Sequence, residues 1–279
     1  MLFTKKQLAA IAPLTIPYSD KTRLRVSHAM TYWKEFCRSS SSEKQFLASV
    51  DRNNDDGYSL RTGTLATEDH KELFHFSQAF FNRLAESGRM QNMVDGRTRN
   101  FLYAAGALIE NMAPMVMRFA NDVQWALDAQ SFSHEVSVSK PHWTLRFLHY
   151  LPTSASRDII AHPHPDRGGF SLHLNESSPG LEYLDELGEW HAMPMSHEAT
   201  VLFPGMGLQY RTANRMRALC HRVVGTPGTT GERYSMVAFI PLMQTPYCDA
   251  AKVPRLQDLP HGFNYTISLK DLEKMFSPR

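Results

Sequence analysis

Two histidine motifs far apart in this chain carry residue types that bind metal ions. His164-Pro165-Asp166 places an imidazole and a carboxylate two positions apart, and His221 supplies a second imidazole downstream. Residues two apart on a strand point to the same face, so His164 and Asp166 can reach one ion from a single extended segment. Two histidines and one carboxylate suit a borderline divalent ion such as Fe(II). The sequence therefore predicts a metal site formed by His164, Asp166 and His221.

The surroundings of His221 strengthen this interpretation, because a His-x-Asp pair alone arises by chance in many proteins. Leu219-Cys220-His221-Arg222-Val223-Val224 is typical of a buried strand with one histidine set into it. Burying an imidazole costs free energy unless it has a partner, and a metal ion is such a partner. Cys220 points to the opposite face of that strand, and we expect it to pack in the core.

A second pair of residues could bind a small carboxylate. Arg233 and Ser235 share one face of a predicted strand that runs to Ile240. A guanidinium binds a carboxylate through two parallel hydrogen bonds, and a serine hydroxyl can add a third. Taken alone, the pair also fits a solvated edge strand, so its meaning depends on the metal motif beside it.

Further motifs follow the metal motif in a fixed order. They are Arg167-Gly168-Gly169-Phe170, Gly180-Leu181-Glu182-Tyr183-Leu184, Gly188-Glu189-Trp190, and Thr200-Val201-Leu202-Phe203-Pro204-Gly205. With His221-Arg222-Val223 and Arg233-Tyr234-Ser235, this order resembles the 2-oxoglutarate- and Fe(II)-dependent dioxygenases of the isopenicillin N synthase-like family. The resemblance covers residues 143–241. Two weaker similarities lie upstream: Gly57-Tyr58 resembles a Gly-Tyr pair of the family, and Lys71-Glu72-Leu73-Phe74 resembles a motif that lies on a helix in the family.

The chain departs from that family at positions around the motifs. Leu148 stands where the family usually has an asparagine, whereas Tyr150 keeps the family's tyrosine. Gly205-Met206-Gly207 lacks the aspartate that usually precedes the distal histidine. Arg167 follows the metal motif where a smaller residue is common. These changes affect the binding of the co-substrate and the rim of the pocket more than the binding of the metal.

The resemblance implies a fold, a cofactor and a reaction. The fold would be mainly β with flanking α: a double-stranded β-helix (jelly roll) core with N-terminal helices. Fe(II) would be bound by His164, Asp166 and His221, and 2-oxoglutarate, the co-substrate, by Arg233, Ser235 and Tyr150. With O2, an unidentified small-molecule substrate would be hydroxylated, desaturated or cyclised, while 2-oxoglutarate gives succinate and CO2. His149, His162, Arg146 and Arg167 could contact the substrate or the metal ligands, although structural roles explain them better.

Other functions stay open at this point. His162-x-His164-x-Asp166 superficially resembles a metallo-β-lactamase motif, but Arg167 replaces its next histidine. A cupin-like metal-binding module would pair His162 with His164 and would need a nearby glutamate, for which Glu176 fits poorly. One further alternative is an oxidase of the same fold that uses Fe(II) and O2 without 2-oxoglutarate. Another is a jelly-roll module that keeps the fold but has no enzymatic activity.

Composition excludes several classes of protein. The chain has 279 residues and a formal net charge of +2, so it lacks the basic footprint of a nucleic-acid-binding protein. Three cysteines without close spacing favour a reducing compartment. No long apolar run follows the amino terminus, so we expect neither a signal peptide nor a membrane span, and a cytoplasmic protein. The sequence predicts neither the oligomeric state nor the substrate.

Hydrophobic spacing predicts the elements that position these residues. Helices are expected at 21–38, 68–87 and 98–127, the last kinked or split at Pro114. Strands are expected at 143–150, 158–164, 170–174, 181–184, 189–193, 199–203, 207–212, 217–224 and 233–240. Ser268 should cap a short terminal helix. We therefore expect one integrated domain, with an N-terminal helical region (1–140), a jelly-roll core (141–245) and a C-terminal extension (246–279).

Overall fold

The structure, a computed structural model, describes residues 1–48, 56–62, 70–93, 95–151, 159–225, 232–253 and 267–278. Its α-helices are α1 (Lys5–Ala9), α2 (Asp20–Phe36), α3 (Ser41–Phe46), α4 (Gln78–Glu86), α5 (Gly96–Ala126), α6 (Phe132–Val138), α7 (Met206–Arg211) and a terminal helix (Leu269–Lys274). Ser268 caps that terminal helix, as predicted, by accepting a hydrogen bond from the Asp271 amide.

Thirteen strands are assigned within these ranges. They are β1 (Leu14–Pro17), β2 (Gly57–Thr62), β3 (His70–Phe76), β4 (Thr144–Tyr150), β5 (Ile159–His164), β6 (Phe170–Glu176), β7 (Leu181–Leu184), β8 (Trp190–Ala192), β9 (Ala199–Pro204), β10 (His221–Val224), β11 (Arg233–Ile240), β12 (Tyr247–Cys248) and β13 (Phe276–Ser277). They pair antiparallel in a seven-stranded sheet (β1-β9-β6-β11-β4-β3-β2), a four-stranded sheet (β5-β10-β7-β8) and a small β12-β13 ribbon.

The two larger sheets share a cavity, and helices cover the outer face of the larger one. Trp33 of α2 and Phe101 of α5 pack against Phe147 of β4, with ring centroids 4.8–5.7 Å apart. All three rings are fully buried, and burying such a side chain contributes roughly 1.5–3 kcal/mol. Trp33 also donates its indole N–H to the Leu148 carbonyl over 3.2 Å. This core fixes β4 and leaves the other face of the sheet to the cavity.

The prediction of a helix over 68–87 was wrong in its first half. His70–Phe76 is a strand, and the helix begins only at Gln78, after Ser77 caps it. Six successive residues of β3 are buried, because one of its faces packs on the helices and the other lines the cavity. A strand buried on both faces loses the alternation of polar and apolar residues that identifies strands.

Other boundaries differ as well. The strand predicted at 207–212 is helix α7, and the strand predicted at 217–224 begins only at His221. α5 runs through Pro114 without being split. β1, β2 and β3 belong to the large sheet, so the segment 1–140 is not helical throughout. The described helices include none that is both long and apolar enough to cross a membrane.

Candidate metal centre

His164 and His221 face each other across two neighbouring strands. His164 ends β5, His221 begins β10, and the antiparallel register pairs them directly. Their ring centroids lie 4.6 Å apart. His164 is exposed and lines the cavity, whereas His221 is buried. The ring centroids of His221 and Phe203 lie 4.7 Å apart. The register thus brings together two imidazoles that are 57 positions apart in the chain.

Backbone carbonyls fix which nitrogen of each imidazole carries the proton. His164 Nδ1 lies 2.7 Å from the His162 carbonyl, and His221 Nδ1 lies 3.1 Å from the Leu219 carbonyl. A carbonyl only accepts hydrogen bonds, so Nδ1 donates in both rings, and the neutral form of each ring has its lone pair on Nε2. Burial lowers the pKa of His221 to about 4. That ring is therefore neutral near pH 7, the form in which an imidazole binds a metal.

Asp166 lies in the loop between β5 and β6, which the start of α7 holds in place. The amide of Met206 donates to the Asp166 carbonyl over 2.8 Å. Gly205 makes this approach possible, because a Cβ there would lie 2.5 Å from the Gly168 carbonyl oxygen and 2.9 Å from that of Asp166. The Pro-Gly-x-Gly segment that replaces the family's Gly-Asp therefore positions the loop that carries the carboxylate.

Neighbouring groups keep the Asp166 carboxylate ionised. Burial alone would raise its pKa, but the hydrogen-bonding and charged groups around it outweigh burial and hold the pKa below its ordinary value. Ser171 adds a hydrogen bond from its hydroxyl to Asp166 Oδ2. An ionised carboxylate with one oxygen held by a serine keeps the other oxygen available for a cation.

The three predicted ligands form a set that fits a divalent ion. One ligand atom each from His164, Asp166 and His221 lies within 4.8 Å of the others. Two imidazoles and one carboxylate suit Fe(II) with open coordination positions. His162 is not part of this set. The metallohydrolase and cupin alternatives both require His162 and His164 to bind the same metal, so the structure does not favour them. Glu176, the acid that a cupin would need, is instead paired with Arg233.

Arg233 is buried beside this cavity with part of its hydrogen-bonding capacity unused. Its Nη2 donates to Glu176 Oε2 over 2.6 Å, and its guanidinium lies 5.5 Å from the ring centroid of Tyr150. Nε and Nη1 have no hydrogen-bond partner among the described residues, although the side chain is only 5% exposed. Buried unpaired N–H groups are costly, and a carboxylate would satisfy them.

The strand register places the other predicted carboxylate-binding residues next to Arg233. Tyr150 is directly opposite Arg233 on β4, and Leu148 is opposite Ser235. All four side chains line the cavity. Leu148 therefore presents an apolar surface at the point where the family pattern usually has an amide.

One cavity of about 450 Å³ contains both parts of the site. The three candidate ligands lie on its four-stranded-sheet side, and Arg233 and Ser235 lie on the seven-stranded-sheet side. Apolar side chains complete the wall, among them Leu148, Leu181, Phe203, Val223, Val237 and Phe239. This volume lies within the range of small-molecule sites.

The sequence analysis missed His173, and it considered Glu176 only as a possible cupin ligand and not as the partner of Arg233. His173 is buried on the cavity wall, and its Nε2 lies 3.3 Å from Glu176 Oε2. Burial lowers the pKa of His173. An irregular register in β6 pairs Val237 with His173 but Ser235 with Glu176. This bulge puts both residues on the inner face, which strict alternation does not predict.

His149, which we considered a possible contact of the metal site, belongs to a separate buried network. Its Nδ1 lies 2.7 Å from Glu72 Oε1, and its ring stacks on Tyr234 at 4.2 Å. Glu72 Oε2 also accepts from Lys44 and Tyr58 at 2.7 and 2.8 Å. Cys37 completes a cluster of potential ligands here, but the Glu72 carboxylate already accepts three hydrogen bonds from protein side chains, so a structural role explains His149 best.

Comparison with known proteins yields a family match for the region that contains the site. Residues 141–241 match the sequence model of the 2OG-Fe(II) oxygenase superfamily. A 2-oxoglutarate-dependent dioxygenase of Didymella fabae is 33% identical over 114 residues, 39% of this chain and 33% of that protein. Clavatol oxidase of Penicillium crustosum is 32% identical over 111 residues, 38% and 32% of the two chains. The matched part of this chain thus spans about a third of the length of each of these curated relatives.

Solved structures share the fold. A 2OG-Fe(II) oxygenase family protein of Caulobacter crescentus superposes with a TM-score of 0.70 at 22% identity, over 97% of this chain and 92% of that one. A full-length Neurospora crassa protein, solved in complex with alpha-KG, superposes with a TM-score of 0.70 at 15% identity, over 97% and 88% of the two chains. At these identities the likeness concerns the fold, and it confirms the predicted double-stranded β-helix with flanking helices.

Proposed function

We propose that this chain, which carries a 2OG-Fe(II) oxygenase domain at residues 141–241, is an Fe(II)- and 2-oxoglutarate-dependent oxygenase. It would oxidise a small-molecule substrate with O2 and release succinate and CO2. The order of its motifs supports placement within the isopenicillin N synthase-like branch. The proposed iron ligands are His164, Asp166 and His221, and the proposed 2-oxoglutarate ligands are Arg233, Ser235 and Tyr150.

The observation that carries this proposal is that both halves of the site open into one cavity. A metal-binding set alone also fits a hydrolase, and a buried arginine alone also fits an ion pair. Here the cluster of His164, Asp166 and His221 shares a cavity with Arg233, whose Nε and Nη1 lack partners within the described part of the chain. Those two nitrogens also favour a carboxylate co-substrate over an oxidase that uses iron alone.

Each of these residues has a defined task in the proposed reaction. Fe(II) would supply the redox chemistry that removes hydrogen from an unactivated carbon, with O2 as the oxidant and 2-oxoglutarate as the co-reductant. His164 and His221 would each offer Nε2 to the metal, and Asp166 would offer one negative charge. Arg233 orients the distal carboxylate of 2-oxoglutarate through its free N–H groups, while Ser235 adds a hydroxyl. The apolar wall limits water around the reacting atoms.

Succinate formation without added substrate tests this function. The purified protein should convert 2-oxoglutarate slowly to succinate in the presence of Fe(II) and O2, and chelation of the metal should stop it. His164→Ala and His221→Ala should reduce the rate about 100-fold or more, because each removes one of three ligands. His134→Ala, at an exposed histidine of α6, is the matched control and should react normally. Equal rates in all variants would contradict the proposal.

A further inference from the structure

Three buried nitrogens of the cavity wall have no hydrogen-bond partner among the described residues. They are Nε and Nη1 of Arg233 and Nε2 of His173, and the two residues are 5% and 3% exposed. Both side chains lie around the same oxygen, because Glu176 Oε2 accepts from Arg233 Nη2 over 2.6 Å and lies 3.3 Å from His173 Nε2. Buried polar nitrogens without partners cost free energy. A ligand with several acceptor atoms at this point would satisfy all three.

A bulge in β6 brings His173 to this position. The register between β6 and β11 skips Leu174, so His173 and Glu176 share a face, although strict alternation would place them on opposite faces. The Leu174 carbonyl instead accepts a hydrogen bond from the Tyr18 hydroxyl over 2.7 Å. Thr200 donates its hydroxyl to the His173 carbonyl over 3.0 Å. These contacts fix the backbone of the bulge, so the imidazole is held at the cavity wall before a ligand binds.

The imidazole of His173 offers a neutral hydrogen-bond donor. Burial lowers its pKa below the ordinary value of 6.5, so the ring is uncharged near pH 7. In a neutral imidazole one nitrogen donates and the other accepts. The Glu176 carboxylate lies beside Nε2 and favours the tautomer with the proton on that nitrogen. His173 therefore presents an N–H group beside Arg233 without adding a charge.

The two strands that flank β11 differ in what they offer a ligand beside Ser235. The neighbour of Ser235 on β4 is Leu148, and its neighbour on β6 is Glu176. Leu148 has no polar side-chain atom, so at the level of Ser235 the wall is apolar on the β4 side and polar on the β6 side. A carboxylate bound by Arg233 and Ser235 can therefore gain a further hydrogen bond from His173 but none from Leu148.

We propose that His173 is a further binding residue for 2-oxoglutarate, and that its Nε2–H group donates to the distal carboxylate beside Arg233. One carboxylate can accept from all three nitrogens, because its two oxygens offer about four lone-pair sites. The site thereby distinguishes 2-oxo acids that carry a second carboxylate from those that end in a methyl group. The inference rests on the proposed function, since it adds a residue to the binding of the same co-substrate.

A pair of 2-oxo acids tests this contact without turnover. 2-Oxopentanoate keeps the keto acid end of 2-oxoglutarate but has a methyl group in place of the distal carboxylate. The Fe(II)-loaded protein is titrated calorimetrically with each acid under nitrogen. His173→Leu should weaken 2-oxoglutarate about tenfold. The affinities for 2-oxopentanoate and for Fe(II) should change less than about threefold, because neither ligand accepts from the imidazole.

Further variants show whether the contact is direct. His173→Phe repeats the test with a ring that has no N–H group, and His28→Leu, at an exposed histidine of α2, should change neither affinity. In a Glu176→Gln background, His173→Leu should still weaken 2-oxoglutarate about tenfold, because the imidazole touches the ligand itself. Equal losses for both 2-oxo acids, no loss for either, or a loss that disappears in the Glu176→Gln background would overturn the inference.

The visible absorption of the same anaerobic samples separates this inference from the proposed function. A charge-transfer band of the Fe(II)–2-oxoglutarate complex, combined with unchanged selectivity between the two 2-oxo acids in the His173 variants, would overturn the inference alone. Absence of the band in the unaltered protein would contradict the proposed function itself, and this inference with it.

Discussion

Arg233 and Glu176 form a buried ion pair beside the cavity, with 2.6 Å between Nη2 and Oε2, and Arg233 keeps two nitrogens unpaired within the described structure. The pair holds the guanidinium in position before any ligand binds. In such an arrangement the arginine contributes both to stability and to recognition. The two contributions can be measured separately.

The first prediction concerns recognition. Arg233→Lys keeps a positive charge beside Glu176 but loses the planar pair of donors, so the affinity for 2-oxoglutarate should fall at least about tenfold. Arg233→Leu should weaken it further, and neither variant should change the affinity for Fe(II) more than about threefold. Anaerobic calorimetry with the metal and the co-substrate in turn measures both. An equal loss of both affinities, or no loss of either, would show that Arg233 is assigned wrongly.

The second prediction concerns stability. Arg233→Leu leaves the Glu176 carboxylate buried without its partner, which should cost about 3–5 kcal/mol of unfolding free energy. The double variant Arg233→Leu with Glu176→Leu no longer contains the unpaired buried carboxylate. It should regain at least about half of the unfolding free energy that the single variant loses. Urea unfolding of the single and double variants measures the difference. A double variant that is less stable than the single variant would contradict the role given to the ion pair.

The third prediction concerns the loop that carries Asp166. Gly205→Ala would place a Cβ 2.5 Å from the Gly168 carbonyl oxygen, so the loop must move. We expect a loss of about 1–3 kcal/mol in stability and at least about tenfold weaker Fe(II) binding. Gly168→Ala is the matched control, because a Cβ there meets no atom within 4 Å. Similar metal affinity in both variants would show that this contact does not position the carboxylate.

The fourth prediction concerns pH. Burial alone would raise the pKa of Glu72, but hydrogen bonds from His149, Lys44 and Tyr58 hold it at about 2, below the ordinary value of 4.5. The stabilisation is therefore complete above about pH 4.5 and is lost as the pH falls toward 2, and it amounts to roughly 3 kcal/mol. Glu72→Gln should be less stable than the unaltered protein at pH 7, and the difference should shrink at pH 3.

Urea unfolding at both pH values provides the measurement for this pH effect. Glu110→Gln is the control, because Glu110 forms an exposed pair with Lys140 and such pairs contribute little. A difference between Glu72→Gln and the unaltered protein that is the same at pH 7 and pH 3 would rule out the titration of Glu72 as its cause.

Local sequence predicted which candidate site residues share a strand face, because these residues follow the period of the strands. Arg233 and Ser235 lie on one face of β11, as the alternation of the sequence indicates, whereas His221 begins β10 and does not lie inside a strand that starts at residue 217. The pairing of His164 with His221 could not be derived from local pattern, since it depends on the register between distant strands. The motif order of a known family supplied that relation instead.

Where the prediction failed, tertiary packing outweighed local pattern. β3 was predicted as helix because Leu73, Phe76 and Phe80 follow helical spacing, yet burial of both faces of β3 determines its apolar character. α7 was predicted as a strand because a short apolar run does not distinguish the two structures. The pairing of Glu176 with Arg233 was missed because a bulge in β6 changes the face on which Glu176 lies.

The most direct test of the central claim is anaerobic titration of the protein with Fe(II) and 2-oxoglutarate, followed by visible absorption. If His164, Asp166 and His221 bind the iron while Arg233 binds the co-substrate, a weak charge-transfer band should appear only when both ligands are present. His221→Ala should abolish the charge-transfer band at any co-substrate concentration. Arg233→Leu should show the band only at much higher concentrations of 2-oxoglutarate. No band in the unaltered protein, together with unchanged metal affinity in His164→Ala and His221→Ala, would contradict the account.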